Sequence, residues 1–342
     1  MPEDIMNKLE IEKLIKNEIS KPLVTHMYTA DPSAHVFNDK IYIYPSHDID
    51  AGIVFNDNGD HFGMEDYHVL SMDDIDSEAV DNGVALHVDD VPWADKQMWA
   101  PDAAYKDGKY YFVFPAKNKA GIFQLGIAIS DSPTGPFIPE AKPIRGSYSI
   151  DPAFFEDEDG RYYMYFGGIW GGQLQKYRNN IYRETYQLPK PNEPALGPIV
   201  AKMTDDLLEF SEEPHEIFIL DEKGNRLLEG DNERRFFEGA WMHKYDGKYY
   251  FSYSTGDSHY VCYGIGDNPY GPFHYKGRIL NPVIGWTTHH SICQYKGKWY
   301  LFYHDSSLSK GVTHLRSVKF VELTYDDEGL IHTIDPYCSE KK

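Results

Sequence analysis

Long apolar runs are missing from this chain. Apolar residues make up 41% of it, and no stretch approaches the ~18 consecutive apolar residues of a membrane helix. Cysteine is scarce: Cys262, Cys293 and Cys338 are odd in number and scattered, with no CxxC pair. That excludes a disulfide framework and a cysteine zinc site. Positive charge is short as well. The 33 Lys and Arg against 54 Asp and Glu leave a net charge of −21, the wrong sign for nucleic acid or anionic membrane, both of which select basic surfaces. The first 21 residues carry charges throughout and lack the apolar core of a signal peptide. The chain therefore reads as cytoplasmic, although a secreted form cut from its leader would look the same. Helical periodicity is confined to one place. Ile11, Leu14, Ile15 and Ile19 fall at i, i+3, i+4 and i+8, which predicts one short amphipathic helix ended by Pro22. The expected organisation is a helical extension over 1–22 and a single domain over 23–342.

What is abundant is aromatic. Tyr, Phe and Trp make up 15% of the residues, with Tyr in the lead at 27. Such rings favour strands, and those with a polar tip suit surfaces on which flat, hydroxyl-rich ligands stack. Many of them sit in a repeated unit: a strand, a tight polar turn, and a Tyr/Phe-rich strand, the signature of a β-hairpin. It occurs as AHVFNDKIYIY, AAYKDGKYYFVF, AFFEDEDGRYYMYF, WMHKYDGKYYFSY and ICQYKGKWYLFY, with turn positions at Lys40, Gly108, Gly160, Gly247 and Gly297. A second motif alternates with the first: SMDDIDS, ISDSPTGPF, MTDDLLEF and IGDNPYGPF. Five hairpins, each with a further strand pair, predict an all-β fold, a five-bladed β-propeller with a short N-terminal helix. A β-sandwich has no need of five copies of one hairpin. The stretch from Gly171 to Pro198 then reads as an inserted loop.

Innermost propeller strands line a common channel, so equivalent positions of the five blades converge. Nine residues before each turn position stand Asp31, Trp99, Asp151, Glu238 and Thr288, with His289 and His290 next. Asp-Pro, as in Asp31-Pro32 and Asp151-Pro152, is a common turn opener. Glu238 in FFEGAW has no such role: it sits in apolar surroundings, where desolvation raises its pKa toward that of a general acid. Carboxyls brought together at one offset push their pKa values apart, which is how acid and base roles become assigned.

The segments YTADPSAHVFNDKIYIYPSHD, SIDPAFFEDEDGRYYMYFGG and FFEGAWMHKYDGKYYFSYSTG resemble glycoside hydrolase family 43, a family of five-bladed propellers. The resemblance runs from Tyr28 to about Asp335. It implies Asp31 as general base, Asp151 as the residue that orients the acid and tunes its pKa, and Glu238 as general acid. It also implies that His289, in His289-His290-Ser291, reaches an axial calcium, and that Arg316 in HLRSVKF contacts the sugar. The nucleophile motif of the related fructosidases, Asn-Asp-Pro-Asn, is absent.

The implied reaction is hydrolysis with inversion across carboxyls roughly 6.5–9.5 Å apart. The expected substrate is a small oligosaccharide, with no nucleic-acid or membrane partner and no organic cofactor. Trp99, Trp170 and Phe37 are the aromatic candidates for stacking on a sugar or walling the pocket. The chain lacks the C-terminal β-sandwich of the family's larger β-xylosidases and looks like its compact branch. The resemblance therefore implies an exo-β-1,4-xylosidase first, an α-L-arabinofuranosidase second, and a non-catalytic glycan-binding propeller third. The sequence carries no signal for oligomeric state.

Overall fold

Each of the five turns joins two antiparallel strands, with pairs Phe37–Lys40, Lys106–Lys109, Glu156–Tyr162, Tyr245–Lys248 and Tyr295–Lys298 closing the hairpins. In four of them both central residues have positive φ: Asn38 and Asp39, Asp107 and Gly108, Asp246 and Gly247, Lys296 and Gly297. This is the backbone of a two-residue turn matched to right-handed strand twist, and it explains the recurring Asn, Asp and Gly.

The computed structural model describes residues 7–338. The hairpins are the inner pairs of five blades. The first blade runs Tyr28–Phe37, Lys40–Asp48, Asp66–Met72 and Val80–His87. In the second, Lys109–Asn118 pairs with Asp102–Lys106, Ala94–Lys96 and Phe123–Ser130, and Ile138–Pro139 lies outermost. The third comprises Ala153–Glu156, Tyr162–Phe166, Ile199–Lys202 and His215–Glu216. The fourth is Glu238–Tyr245, Lys248–Ser254, Val261–Gly266 and Phe273–Leu280, with Ile219–Leu220 parallel to the last. The fifth has three strands, His290–Tyr295, Lys298–Asp305 and Ser317–Leu323. The Gly171–Pro198 stretch enters between the second and third strands of the third blade.

Aromatic rings fill the interfaces between blades. Tyr44 and Tyr67 of the first blade meet Phe112 of the second, and Tyr165 of the third meets Phe251 of the fourth. The ring closes where the ends of the chain meet. Leu23 and Thr29 donate backbone N–H groups to the carbonyls of Val318 and Arg316, both at 2.9 Å, and Ala34 donates to Ser291 Oγ at 3.0 Å.

The N-terminal helix is shorter than the periodicity predicts. It spans Lys8–Lys16, started by a capping box of Asn7 and Glu10, and Asn17 closes it. Ile19 therefore lies outside it and is 39% exposed. The competing pull comes from the fifth blade: Glu18 pairs with Lys319 at 2.7 Å and Ser20 Oγ donates to Phe320 O at 2.6 Å. No helix among the described residues is long and apolar enough to cross a membrane.

Phe251 is fully buried among Tyr165, Tyr253 and Phe273. Phe251→Ala is expected to cost about 3–5 kcal/mol, read as a lowered urea midpoint, whereas the exposed Val54→Ala stays within about 0.5 kcal/mol.

Candidate active site

The same irregularity recurs in three blades at the converging position. In the first, strand register shifts between Ala30 and Ser33, and Asp31 between them has φ +47°. In the fourth it shifts between Glu238 and Trp241, with Gly239 at φ +71°. In the third, Asp151 just before the strand has φ +56°. Positive φ in a non-glycine residue followed by Pro is strained, and such strain clusters where a side chain must be re-aimed. The glycine at 239 is required: a Cβ there would meet His289 Cδ2 and Ser254 Oγ at 3.1 Å.

Asp31, Asp151 and Glu238 meet in a pocket of about 640 Å³, together with Trp99, Trp170, His289 and Arg316. Asp31 Oδ2 accepts from Ser46 Oγ at 2.7 Å, and Oδ1 accepts from Arg316 Nη1 at 2.9 Å. Burial would raise this carboxyl, but the Arg316 guanidinium and the Ser46 bond outweigh it and hold the pKa at about 2. Glu238 goes the other way. Burial, then the nearby Asp31 charge, push it up to about 8 against the opposing pull of Arg316. Asp151 is also pushed well above its ordinary range by burial, Glu238 and Asp31. Its Oδ2 accepts the Gly239 backbone N–H at 2.9 Å, so it pins the backbone beside Glu238. At neutral pH Asp31 is thus ionised and Glu238 protonated, in one pocket and on different blades.

Arg316 is committed inward rather than to open space. Its Nε and Nη2 donate to both oxygens of the fully buried Asp48, at 2.8 and 2.7 Å, and Nη1 donates to Asp31 and, at 3.2 Å, to Thr287 Oγ1. Four of its five N–H donors are engaged by protein. The expected sugar contact is therefore secondary to fixing Asp31.

The aromatic candidates divide. Trp99 walls the pocket, its indole N–H held by Phe62 O at 2.8 Å. Trp170 also lines the pocket, stacked on Trp286 with ring centres 5.7 Å apart and edge-on to Phe237. Phe37 is elsewhere. It stacks on His35 at 5.6 Å and meets Tyr110 edge-on, because it ends its strand at the hairpin turn, away from Asp31. The expectation that Phe37 reaches a sugar is corrected: it covers the interface of the first two blades.

His289 is buried on the pocket floor, its Nε2 3.7 Å from Asp151 Oδ2. Burial lowers its pKa, so the ring is neutral, and neither ring nitrogen has a hydrogen-bond partner in the described structure. His290 differs, its Nε2 meeting Ser252 Oγ at 2.6 Å.

Sequence reasoning missed Asp48, His304, Trp286 and the Phe55–Phe62 segment. His304 Nδ1 accepts the Asp31 backbone N–H at 2.9 Å. Asp48 was findable, because it ends the strand that pairs with the Asp31 strand. Trp286 and Phe55–Phe62 lie on loops, where no repeat marks them.

The profile of glycosyl hydrolases family 43 matches residues 80–331. The chain belongs to that family. It is 62% identical over 326 residues to a xylosidase/arabinosidase of Humicola insolens, covering 92% of this chain and 99% of the relative. A β-xylosidase of Xylanibacter ruminicola is 57% identical, over 90% of this chain and 97% of its own. A crystallised family 43 β-xylosidase/α-arabinofuranosidase from a compost metagenome, solved with xylotriose in a calcium-free form, superposes with a TM-score of 0.91. It shares 64% identity and covers 93% of this chain and 98% of its own.

Replacing Arg316 with Met removes the cation that holds Asp31 down. The Asp31 pKa is expected to rise by about 1–3 units, so that it protonates at higher pH. Carbon-13 titration of the labelled carboxyls reads this directly.

Proposed function

We propose that this family 43 hydrolase is an inverting exo-glycosidase that releases xylose from β-1,4-xylo-oligosaccharides and also cleaves α-L-arabinofuranosides. The observation that carries the reading is that Glu238 and Asp31 share one pocket while Arg316 is ion-paired to Asp31, which drives their pKa values apart. Protonated Glu238 gives its proton to the leaving glycosidic oxygen as the bond to the anomeric carbon breaks. Ionised Asp31 takes a proton from the water whose oxygen attacks that carbon from the opposite face. Asp151 is a positioning residue that acts through the Gly239 N–H. Ser46 and Arg316 keep the Asp31 carboxylate in place, as a base needs when no water is left to solvate it.

Exo action follows from enclosure. The Trp170–Gly172 turn lies against the loop that carries Asn58, so close that a Cβ on Gly171 would meet Asn58 O at 2.9 Å. Together these loops cover one side of the pocket, which favours binding at a chain end. Trp99 and Trp170 offer flat apolar walls to sugar faces. The names of the relatives favour dual specificity, since two of the three carry both activities.

His289 supplies a fit for calcium. One unpartnered nitrogen of its neutral ring, with Thr288 Oγ1 also unpartnered beside it, would add a single protein ligand to a hard cation whose other positions are filled by water oxygens. When bound, such a cation adds positive charge that favours the ionised form of Asp31.

A paired assay on aryl β-D-xyloside and aryl α-L-arabinofuranoside, followed by xylobiose, tests the substrate. Proton NMR in the first minutes should show α-xylose from a β-xyloside. β-Xylose appearing first would mean a covalent intermediate and overturn the assignment. Glu238→Gln should lose at least about 10²-fold on xylobiose yet far less on an aryl xyloside with a good leaving group, while Asp31→Asn loses both. Exhaustive chelation should lower wild-type activity, calcium should restore it, and His289→Ala should not respond to either.

A further inference from the structure

The first blade carries a second cluster of ligating groups outside the pocket. Asp66 and His68 are two residues apart on one strand, so their side chains leave the same face. His47 joins them from the strand Lys40–Asp48, and Asp81 from the strand Val80–His87. Ligand atoms of His47, Asp66 and His68 all lie within 4.8 Å of one another, and no other trio of His, Cys, Asp or Glu among the described residues does so. None of the three lines the pocket.

The hydrogen bonds around the trio prepare it for an ion. His68 Nδ1 lies 2.8 Å from Asp81 Oδ1. Asp81 is fixed in turn by His26 Nε2 at 3.0 Å and the Gly83 N–H at 2.9 Å. A proton on Nδ1 given to Asp81 leaves Nε2 with a free lone pair, the carboxylate–histidine arrangement that orients metal-binding imidazoles. That Nε2 stands 3.9 Å from Asp66 Oδ2, too far for a hydrogen bond and near the roughly 3.4 Å between two ligands of one tetrahedral ion with bonds of about 2.0–2.1 Å. The other Asp66 oxygen is hydrogen-bonded to His47 Nδ1 at 2.5 Å, and the two rings have centres 4.8 Å apart, so an ion held by all three would take the place of the proton between Asp66 and His47. Side-chain exposures of 20%, 17% and 14% leave the cluster reachable by an ion yet shielded from competing solvent.

We propose that His47, Asp66 and His68 form a binding site for a borderline divalent cation of the zinc class, with water completing the shell. Two imidazoles and a carboxylate are the donor set such ions take, whereas calcium selects oxygen. The ion ties adjacent strands of the first blade together directly beside Asp48, the anchor of Arg316. Its role is to stabilise the fold, and it takes no part in the bond cleavage.

The test uses metal-stripped full-length protein titrated with zinc chloride in excess calcium chloride, followed by calorimetry and thermal unfolding. One equivalent of Zn²⁺ should bind without competition from calcium and raise Tm by several degrees once zinc exceeds its Kd about 100-fold. His68→Ala and the near-isosteric Asp66→Asn should each lose that equivalent and the Tm rise, and His289→Ala should keep both. Wild-type protein that takes up no zinc would overturn the proposal. So would zinc uptake unchanged in Asp66→Asn and His68→Ala, which would place it on other histidines. If both variants fold poorly, anomalous density from a zinc-soaked wild-type crystal decides: a peak bonded to His47, Asp66 and His68 supports the site, and a peak elsewhere or none rejects it.

Discussion

One buried cation organises the pocket. Arg316 lies between Asp48 and Asp31, bidentate to the first and singly bonded to the second. A buried ion pair contributes little net stability once desolvation is counted, but removing one partner leaves an uncompensated charge and costs several kcal/mol. Here the cation is matched by two anions, and a further ionised carboxyl nearby would be repelled by both. Glu238 responds by keeping its proton, and Asp151 is pushed in the same direction. The division between a base and an acid is thus set by which carboxyl the single guanidinium reaches.

The propeller supplies the positions. Each blade brings one inner strand end to the axis, and a local backbone irregularity turns the carboxyl into the pocket in the first, third and fourth blades. The strain is held by specific bonds: the Asp31 N–H to His304, and the Gly239 N–H to Asp151. Arg316 starts its contacts from the chain segment that closes the ring, where its carbonyl accepts from Thr29. Closure of the propeller and placement of the cation therefore share one strand pairing. That is a structural reason for the tight joining of the chain ends.

Much of this was legible in the amino-acid sequence because it repeats. The hairpin turns require Asn, Asp or Gly with positive φ, so they announce themselves, and a fixed offset from them leads to Asp31, Trp99, Asp151 and Glu238. Phe37 misled for a related reason. It lies six residues along the strand from Asp31, at the turn end, where an aromatic ring packs between blades instead of facing the carboxylates. Asp48 escaped because its partner Arg316 is 268 residues away, a contact no local pattern encodes. Trp286 and the Phe55–Phe62 loop escaped because loops obey no period. The helix stopped early at Asn17 because Glu18 and Ser20 bond the fifth blade, a tertiary preference that overrides the periodicity of Ile19.

The pH dependence of kcat/KM on xylobiose tests the division of roles most directly, because this leaving group needs a proton. Glu238 must be protonated, which holds below about 8, and Asp31 ionised, which holds above about 2. The account predicts a rate that stays high through neutrality and falls as pH rises through about 8, with that alkaline limb absent in Glu238→Gln. A rate that instead climbs through pH 8, or an alkaline limb that survives in Glu238→Gln, would contradict it.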